Sequence, residues 1–309
     1  MSSSVLYDAP GPRTRARSRL ISYIAFGVIL ASLAWLVVSL ASPRTTVNGV
    51  TVSGVFAPER WEFALDVQFW RRLLIDGLLM GTLRVAALAA VLAVLIGILF
   101  SFGRTARSPL IRVPVAIILE FFRGLPVLLM MLFILLALRT NGYWAAVGAL
   151  AVYNGAIIGE ALRAGIAALP RGQKEAGLSL GLTPFTTRML IEFPQAFRQM
   201  LPIIVAQLVV LLKDTSLAYI VAYPEVLRIS QQLRDYYGST LVSFSLFAIV
   251  ALIYLVVNLM LSAFARWLAR RPASASSIGP ADAHAIDLVA TGADVVTDED
   301  KNPIGDGRR

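Results

Sequence analysis

The chain has 309 residues, of which 57% are hydrophobic and 15% charged, and its mean hydropathy is +0.72. This composition excludes an ordinary soluble protein and indicates an integral membrane protein. The lack of cysteine and the single histidine, His284, exclude disulfide scaffolds, thiolate metal sites and most imidazole-based catalysis. The net charge of +9 is interpreted as basic residues in cytoplasmic loops, with no nucleic-acid partner.

Apolar runs long enough to cross a membrane recur along the chain. A hydrocarbon core about 30 Å thick requires roughly 20 residues of helix. Six runs meet this requirement: Leu20 to Ala41, Leu78 to Phe102, Pro114 to Leu138, Tyr143 to Leu162, Leu201 to Tyr223, and Leu241 to Leu268. The first run exceeds the h-region of a signal peptide, about 7 to 15 residues, and is interpreted as a retained anchor. The third run is expected to break or kink at Gly124 and Pro126.

The first run is preceded by a basic segment, residues 1–19, and followed by residues 42–76, which are predicted to be an extracytoplasmic loop. Four aromatic residues stand among charges near the end of that loop: Trp61, Phe63, Phe69 and Trp70. This pattern predicts an amphipathic helix over 59–76 at the outer membrane interface. An ordinary loop with scattered aromatics is the alternative.

Basic residues are distributed unevenly between alternate loops. With the N-terminus inside, the inner segments hold fifteen Lys and Arg residues, and the outer segments hold seven. Because basic residues accumulate on the cytoplasmic side, both termini are predicted to be cytoplasmic, in the cell membrane.

Residues 272–309 differ in charge from the rest of the chain. They carry seven acids and three basic residues, a charge of −4, whereas the first 271 residues carry +13. They contain no apolar period that could offset the entropy of ordering. We expect a disordered, dispensable tail.

The inner loop of residues 167–199 is too long for a simple connector. Lys174 to Leu180 is predicted to form a short helix that ends at Gly181 in a left-handed C-cap. Thr183 and Pro184 are predicted as the N-cap and first turn of a second helix that must end near Pro194. Residues 174–182 thus form a projecting feature that we call the knob. Its Ala176 and Gly177 offer a flat side to a partner; a solvated hairpin without a partner is the alternative.

The loop also carries a recognisable motif. Glu175-Ala176-Gly177, then Gly181 after three residues and Ile191-Glu192-Phe193-Pro194 after nine more, resembles the EAA signature of bacterial ATP-binding-cassette importer permeases. Gly177 and Phe193 stand where the family pattern has Ala and Leu. Both replacements keep the small or apolar character of the position.

Similarity extends from about Trp70 to Trp267. Glu160-Ala-Leu-Arg163 and Leu212-Lys213-Asp214-Thr215-Ser216-Leu217 resemble the polar amino-acid permeases of the histidine, glutamate, glutamine, arginine and opine group. Tyr153-Asn154-Gly155 and the polar tail are similar to actinobacterial glutamate-importer permeases. The resemblance implies an all-α membrane protein with a five-span core in residues 77–271, an extra N-terminal span in residues 20–41 and a cytoplasmic coupling helix.

The resemblance also implies partners. Two permease subunits, here a heterodimer, would form the pathway for a polar amino acid, two ATPases would bind below, and an extracytoplasmic solute-binding protein would deliver the substrate. The chain lacks G-x-x-x-x-G-K-[S/T], so ATP and Mg belong to the partner ATPase; no enzymatic activity, cofactor or metal is expected here. The residues expected to dock the ATPase are Gln173, Glu175, Ala176, Gly177, Leu178, Gly181 and Leu182.

Charges within the spans are candidates for the substrate pathway, because such residues face protein or water. Lys213 and Asp214 point about 100° apart on a helix and cannot satisfy each other as an i,i+4 pair. The candidate residues are Arg123, Lys213, Asp214, Thr215 and Ser216. The alternative is that ion pairs lock helix packing, above all Glu120 with Arg123.

Two further charged positions are expected to be structural. Arg84 is expected near the end of its span, from where it can reach the interface. Glu160 and Arg163 are expected to brace the loop that carries the knob.

Two other functions stay open at this point. A stand-alone secondary carrier would need no ATPase and would relay protons through its buried charges. A membrane scaffold that only recruits a cytoplasmic partner would not explain why Lys213 and Asp214 lie within a membrane span.

Overall fold

The computed structural model describes residues 11–45, 49, 51–237 and 242–269, and this part of the chain is almost entirely helical. Its helices are α1 (Pro12–Ala41), α2 (Val67–Arg71), α3 (Arg84–Arg104), α4 (Pro109–Gly124), α5 (Val127–Ala137), α6 (Gly142–Ala167), α7 (Arg171–Ser179), α8 (Pro184–Thr187), α9 (Phe193–Asp214), α10 (Val226–Tyr236) and α11 (Ser243–Ala269). Strands β1 (Arg44–Thr45) and β2 (Thr51–Val52) pair antiparallel, Arg44 opposite Val52. The predicted acidic tail lies outside the described residues.

Five described helical stretches are long and apolar enough to cross a membrane. They are Arg13–Ala41, Val67–Arg104, Gly142–Ala167, Pro184–Tyr219 and Ser243–Phe264. The bent pair α4 and α5 would make a sixth, with a 103° angle between them. The predicted break is confirmed, since α4 ends at Gly124 and Leu125 is extended before Pro126. The protein is an all-α membrane protein.

The second stretch is longer than the apolar run that predicted it. A π-helical segment, Arg72–Leu83, joins α2 to α3 without a break, so the helix starts at Val67. Arg84 therefore lies 17 residues after the start and 20 before the end, about 25 Å and 30 Å along the axis. That Arg84 lies one or two turns inside the apolar run Leu78 to Phe102 is a statement about its depth in the membrane, and it stays a prediction.

The predicted amphipathic helix over 59–76 is not one helix. The segment forms two 3₁₀ turns, Pro58–Arg60 and Glu62–Leu65, before α2 begins. Phe63 and Phe69 are buried, with ring centroids 4.9 Å apart in an edge-to-face arrangement. These rings pack into protein because the chain folds back on α10 and α11, so they are not available to lipid.

The main core lies between α3 and α6, which run parallel. A Cβ on Gly97 would stand 2.7 Å from Ile158 Cγ2, and one on Gly159 would stand 3.0 Å from the Gly97 carbonyl oxygen. Small residues at such contacts let two membrane helices approach backbone to backbone. The core then continues to α5 and α9 on other sides of α6.

A second core surrounds α10. This helix packs on the π-helical segment, where a Cβ on Gly81 would meet the Pro224 carbonyl oxygen and one on Gly77 would lie 3.1 Å from Val226 Cα. Phe69 and Leu233 are among the buried side chains of this cluster. The helical bundle thus extends beyond the N-terminal end of α3, through α2, the π-helical segment and α10.

Helix α1 differs from the other candidate spans. Its large apolar side chains are exposed, from Leu20 at 59% to Val38 at 63%. At its C-terminal end the Val55 amide donates to the Leu40 carbonyl oxygen at 2.8 Å. In the described part of the chain, α1 is therefore attached to the segment that follows it at the C-terminal end of the helix.

Candidate functional site

The knob has the local structure that its glycine and proline pattern predicts. Helix α7 runs from Arg171 to Ser179, three residues earlier at its start than expected, and Gly181 has φ +79°. The Leu182 amide donates to the Gly177 carbonyl oxygen at 3.3 Å and the Gly181 amide to Leu178 at 3.0 Å. These two bonds are a Schellman motif, which satisfies carbonyls at the helix end and turns the chain back.

The second helix of the loop begins as predicted and ends elsewhere. The Thr183 side chain accepts from the Thr186 amide, and Pro184 stands in the first turn of α8. The expected end near Pro194 is wrong, because α8 continues through a π turn, Arg188–Glu192, directly into α9. Pro194 is the second residue after this π turn, where the regular i→i−4 hydrogen-bond pattern is already interrupted.

Gly177 does not offer a flat side to a partner. It is buried within the loop, where a Cβ would stand 2.5 Å from Thr187 Cγ2 and 2.9 Å from Ile191 Cδ1. Its small size lets α7 lie against the second helix, so a direct docking role for Gly177 is excluded. The exposed residues around it are Gln173, Glu175, Ala176, Gly181, and the apolar Leu178, Leu180 and Phe185, with Leu182 half-buried.

The loop of residues 167–199, which carries the knob, is held to neighbouring helices by polar contacts. Arg188 donates to the Thr105 carbonyl oxygen at 2.5 Å and pairs with Glu192 at 3.6 Å. Gln195 Nε2 donates to Gln173 Oε1 at 3.2 Å, which links α9 to α7. These contacts lie beside the knob and connect its loop to the end of α3 and to α9.

The predicted brace of Glu160 and Arg163 is present and larger than expected. Glu160 lies 2.6 Å from the Arg163 guanidinium and 3.7 Å from that of Arg104 at the end of α3. Arg104 and Arg163 border a cavity of about 270 Å³ that α7 also lines through Arg171 and Lys174, and the π turn through Arg188 and Glu192. The ends of α3 and α6 thus meet the start of α7 and the π turn at one charged cluster.

The structure places the expected pathway residues in two places. Arg123 pairs with Glu120 at 3.1 Å on α4, next to the break before α5. Lys213 is exposed and Asp214 half-buried at the end of α9, and neither has an ion pair among the described residues. The alternative of a structural ion pair thus fits Arg123, whereas Lys213 and Asp214 have no such partner among the described residues.

Thr215 and Ser216 bond to the backbone at the end of α9. Thr215 is buried and donates to the Leu212 carbonyl oxygen at 2.6 Å. Ser216 is half-buried and donates to the Lys213 carbonyl oxygen at 3.0 Å. Both hydroxyls satisfy carbonyls where α9 tightens into a 3₁₀ turn, and a pathway role for these two residues stays a prediction.

Arg84 is a charged group that contacts an aromatic side chain. Its guanidinium carbon lies 5.0 Å from the centroid of the Tyr143 ring, a cation–π contact. Tyr143 in turn packs on Tyr223, whose hydroxyl donates to the Gly81 carbonyl oxygen at 3.3 Å. Arg84 has an exposed side chain and no ion pair among the described residues. The charge inside the second apolar run was the available signal; its aromatic partner, 59 positions away, was not predictable.

Glu225 is a buried carboxylate that sequence reasoning missed. It accepts from the amides of Leu227 at 2.9 Å and Arg228 at 2.8 Å, and from the Tyr254 hydroxyl at 2.8 Å. Its position directly after Pro224 at the start of an amphipathic stretch was the signal for this helix cap. In the described part of the chain no group of three or more His, Cys, Asp or Glu could hold a metal ion.

Comparison with known proteins identifies the family. The family described as "Binding-protein-dependent transport system inner membrane component" matches residues 91–274. The glutamate transport system permease protein GluD of Corynebacterium glutamicum is 36% identical over 231 residues, 71% of this chain and 82% of that protein. The probable glutamine permease GlnP of Bacillus subtilis is 37% identical over 196 residues, 62% of this chain and 89% of that protein.

Solved structures agree with this assignment. A crystal structure of an amino acid ABC transporter with histidines matches with a TM-score of 0.60 and 29% identity, over 67% of this chain and 98% of that one. The MetNI methionine transporter shares the fold, with a TM-score of 0.52 at 18% identity, over 65% of this chain and 98% of that one. The chain belongs to the inner-membrane components of binding-protein-dependent transport systems and is a permease subunit of a polar amino-acid ATP-binding-cassette importer.

Proposed function

We propose that this permease imports glutamate or another polar amino acid, working with an ATPase and an extracytoplasmic solute-binding protein. Relatives named for glutamate and glutamine transport support this substrate class. The observation that carries the proposal is the pair of cationic side chains, Arg84 and Lys213, that have no ion pair among the described residues. A stand-alone carrier is not supported, because the family works with a binding protein.

We infer that both termini are cytoplasmic. The excess of basic residues in alternate segments supports this orientation. The parallel packing of α3 and α6 requires the bent pair α4 and α5 to cross back between them, which gives six spans and supports placing both termini on the same side of the membrane. The knob, which follows α6, is then on the cytoplasmic side, where an ATPase can reach it.

We propose that the ATPase docks on the exposed face of the knob. Leu180 is 78% exposed and lies in the loop that is predicted to be cytoplasmic, and Phe185 beside the knob is 64% exposed. Glu175 adds a charge to this face. An apolar patch with a charge at its edge is typical of a protein interface. Because Arg188 and Gln195 connect the loop that carries the knob to α3 and α9, ATPase closure would move these helices as a unit.

Charge reversal on the knob tests the docking proposal. Glu175→Lys and Gly181→Val are expected to reduce co-purification of the ATPase and uptake at least about tenfold, the first by inverting the docking charge. The second forces a β-branched residue into φ +79°, which reshapes the turn. Arg19→Gln on α1 is the matched control and should leave both measurements unchanged. Normal ATPase recovery and uptake in both knob variants would refute the proposal.

We propose that Arg84, Lys213 and Asp214 face the substrate pathway. A charged residue at the centre of a membrane helix costs about 2.5 to 3.5 kcal/mol on insertion scales, so an unpaired one is expected to face water or protein. The substrate is a zwitterion, so a cationic group meets its carboxylate and Asp214 meets its ammonium. Arg123 is proposed as a packing residue, because Glu120 neutralises it.

Removal of the charges separates transport from assembly. Lys213→Met keeps side-chain length and Asp214→Asn keeps shape, so both complexes should assemble. Uptake is expected to fall at least about tenfold, while ATPase activity stimulated by the binding protein persists. The measurements are substrate uptake and ATP hydrolysis in proteoliposomes, and wild-type uptake in both variants would leave these two residues a structural role.

We propose that the second permease, a sibling of this chain, covers the bent pair α4 and α5. The break at Leu125 and Pro126 leaves helix-end carbonyls that hydrocarbon cannot satisfy. Beside it lies an apolar groove of about 530 Å³ lined by Phe122, Leu129 and Phe133, among others. Co-purification of two differently tagged copies of this chain from one complex would instead support a homodimer.

A further inference from the structure

Arg60 is a buried guanidinium that faces no acidic side chain among the described residues. Its relative exposure is 7%, and its Nε atom is inaccessible and makes no hydrogen bond. No ion pair or hydrogen bond of its side chain is found with the described residues. A buried charge is ordinarily paired, because its desolvation is otherwise uncompensated. Arg60 therefore indicates a missing anion.

Arg60 lines a cavity of about 220 Å³ that also contains a second arginine, Arg44. The cavity is bounded by the end of α1 at Leu40, by β2, by the turn around Ser53 and by Phe244 at the start of α11. The described residues that line it include no acid. Two cations in one cavity repel each other unless an anion lies between them or beside them.

Both arginines are held in place by neighbouring groups. Arg44 donates from one terminal nitrogen to the Ser39 carbonyl oxygen at 3.0 Å and to Ser39 Oγ at 2.7 Å, and its other guanidinium nitrogens have no hydrogen bond to the described residues. The Arg60 amide donates to the Ala57 carbonyl oxygen at 3.0 Å. Next to it, Trp61 Nε1 donates to the Val55 carbonyl oxygen at 2.9 Å and fixes the turn. The cavity is thus preorganised by its surroundings.

We propose that this cavity is a binding site for a phosphate-type oxyanion, either the phosphodiester of a phospholipid headgroup or free phosphate. Planar guanidinium groups present forked N–H donors that match phosphate oxygens. Two of them also match the charge and the number of oxygens of a phosphate better than those of one carboxylate. Arg60 is the main ligand and Arg44 the second.

The bound anion connects α1 to the rest of the chain. Arg44 follows α1 and is tied to Ser39 within it, whereas Arg60 belongs to the turn that precedes α2. Helix α1 has exposed side chains along its length and lies outside the residues that match the family. An anion that bridges Arg44 and Arg60 therefore fixes this added helix at its C-terminal end.

Thermal stability of the full chain tests the site. The purified protein in delipidated detergent is titrated with inorganic phosphate, against sodium gluconate at the same ionic strength. We expect phosphate to raise the Tm of the wild type, and Arg60→Gln to weaken the apparent affinity at least about tenfold. In gluconate alone Arg60→Gln should be at least as stable as the wild type, because it removes an unpaired buried charge.

A second measurement identifies the source of the anion. Native mass spectrometry of protein extracted gently from membranes is expected to show a retained phospholipid in the wild type if a headgroup fills the site, and its loss in Arg60→Gln. Phosphate stabilisation without any retained lipid identifies the free ion. Arg71→Gln, an exposed arginine of α2 outside the cavity, is the matched control and should behave as the wild type in both measurements.

The proposal is overturned if neither phosphate nor phospholipid distinguishes the wild type from Arg60→Gln, or if Arg71→Gln shows the same loss. If Arg60→Gln does not fold, Arg60→Lys keeps the charge while removing the fork, and Arg44→Gln removes the second ligand. Each should weaken the phosphate response, and a full response in both would equally overturn the site.

Discussion

Helices α1 and α6 are both long enough to cross a membrane, yet their environments within the chain are opposite. In the most apolar 18-residue stretch of α1 no residue is buried, whereas 67% of the corresponding stretch of α6 is buried. The more apolar helix is the exposed one. Burial within this membrane protein is therefore not decided by hydrophobicity, since lipid accepts apolar side chains as well as protein does.

Steric fit decides the difference. Gly155 and Gly159 let α6 approach α3 until a Cβ at either would collide with Ile96 or Phe100. Gly27 of α1 has nothing within 4 Å of the place where its Cβ would stand. A glycine is therefore a packing element in one helix and only a permissive residue in the other.

The largest expected effect is on the α3–α6 contact. In Gly97→Val the new Cβ would stand 2.7 Å from Ile158 Cγ2 and 3.1 Å from the Gly155 carbonyl oxygen. Because the Gly155 carbonyl belongs to the backbone of α6 and cannot move aside, we expect a loss of at least about 1 to 3 kcal/mol of stability. Less folded protein should also be recovered. Thermal unfolding in detergent measures the loss of stability. A Tm equal to that of the wild type would contradict the close packing of these helices.

A smaller loss of stability is expected when the hydrogen bond that joins the segment before α2 to the end of α10 is removed. Tyr237 Oη donates to Asp66 Oδ2 at 2.7 Å. This bond lowers the pKa of Asp66 below its usual 3.8, while burial and the nearby carboxylate raise the pKa of Tyr237 to about 12. Tyr237→Phe should lower the Tm slightly at neutral pH.

The pH dependence of that effect has a definite sign. Because the pKa of Asp66 is lowered on folding, its stabilisation is complete above about pH 4 and is lost as the pH falls through the folded value. The difference in Tm between wild type and Tyr237→Phe should thus be flat from pH 5 to 9 and vanish under more acidic conditions. A difference that grows on acidification would exclude the charged hydrogen bond.

The smallest effect is expected in α1. Gly27→Val adds a side chain where there is open space, so stability of the isolated chain should change by less than about 0.5 kcal/mol. It is the matched partner of Gly97→Val, because it makes the same chemical change within another long apolar helix. Equal losses in the two variants would show that α1 packs as tightly as α3.

Local features of the knob were predictable because short-range geometry specifies them. Gly181 closes α7 at positive φ and Thr183 caps the next helix, as their residue types require. The end of the second helix was not predictable from Pro194, because a proline can be accommodated where the i→i−4 pattern is locally interrupted. The π turn directly before Pro194 is such an interruption.

The sequence by itself determined the membrane class, the apolar spans, the break at Pro126 and the motif that identifies the family, since each depends on composition or on residues close in the chain. Only the tertiary structure decided that Gly177 is buried, that Arg84 meets Tyr143 and that Arg44 and Arg60 share one cavity. These contacts join residues that are distant in sequence or separated by turns. Their geometry depends on how whole helices and turns pack, which no local pattern of residues encodes.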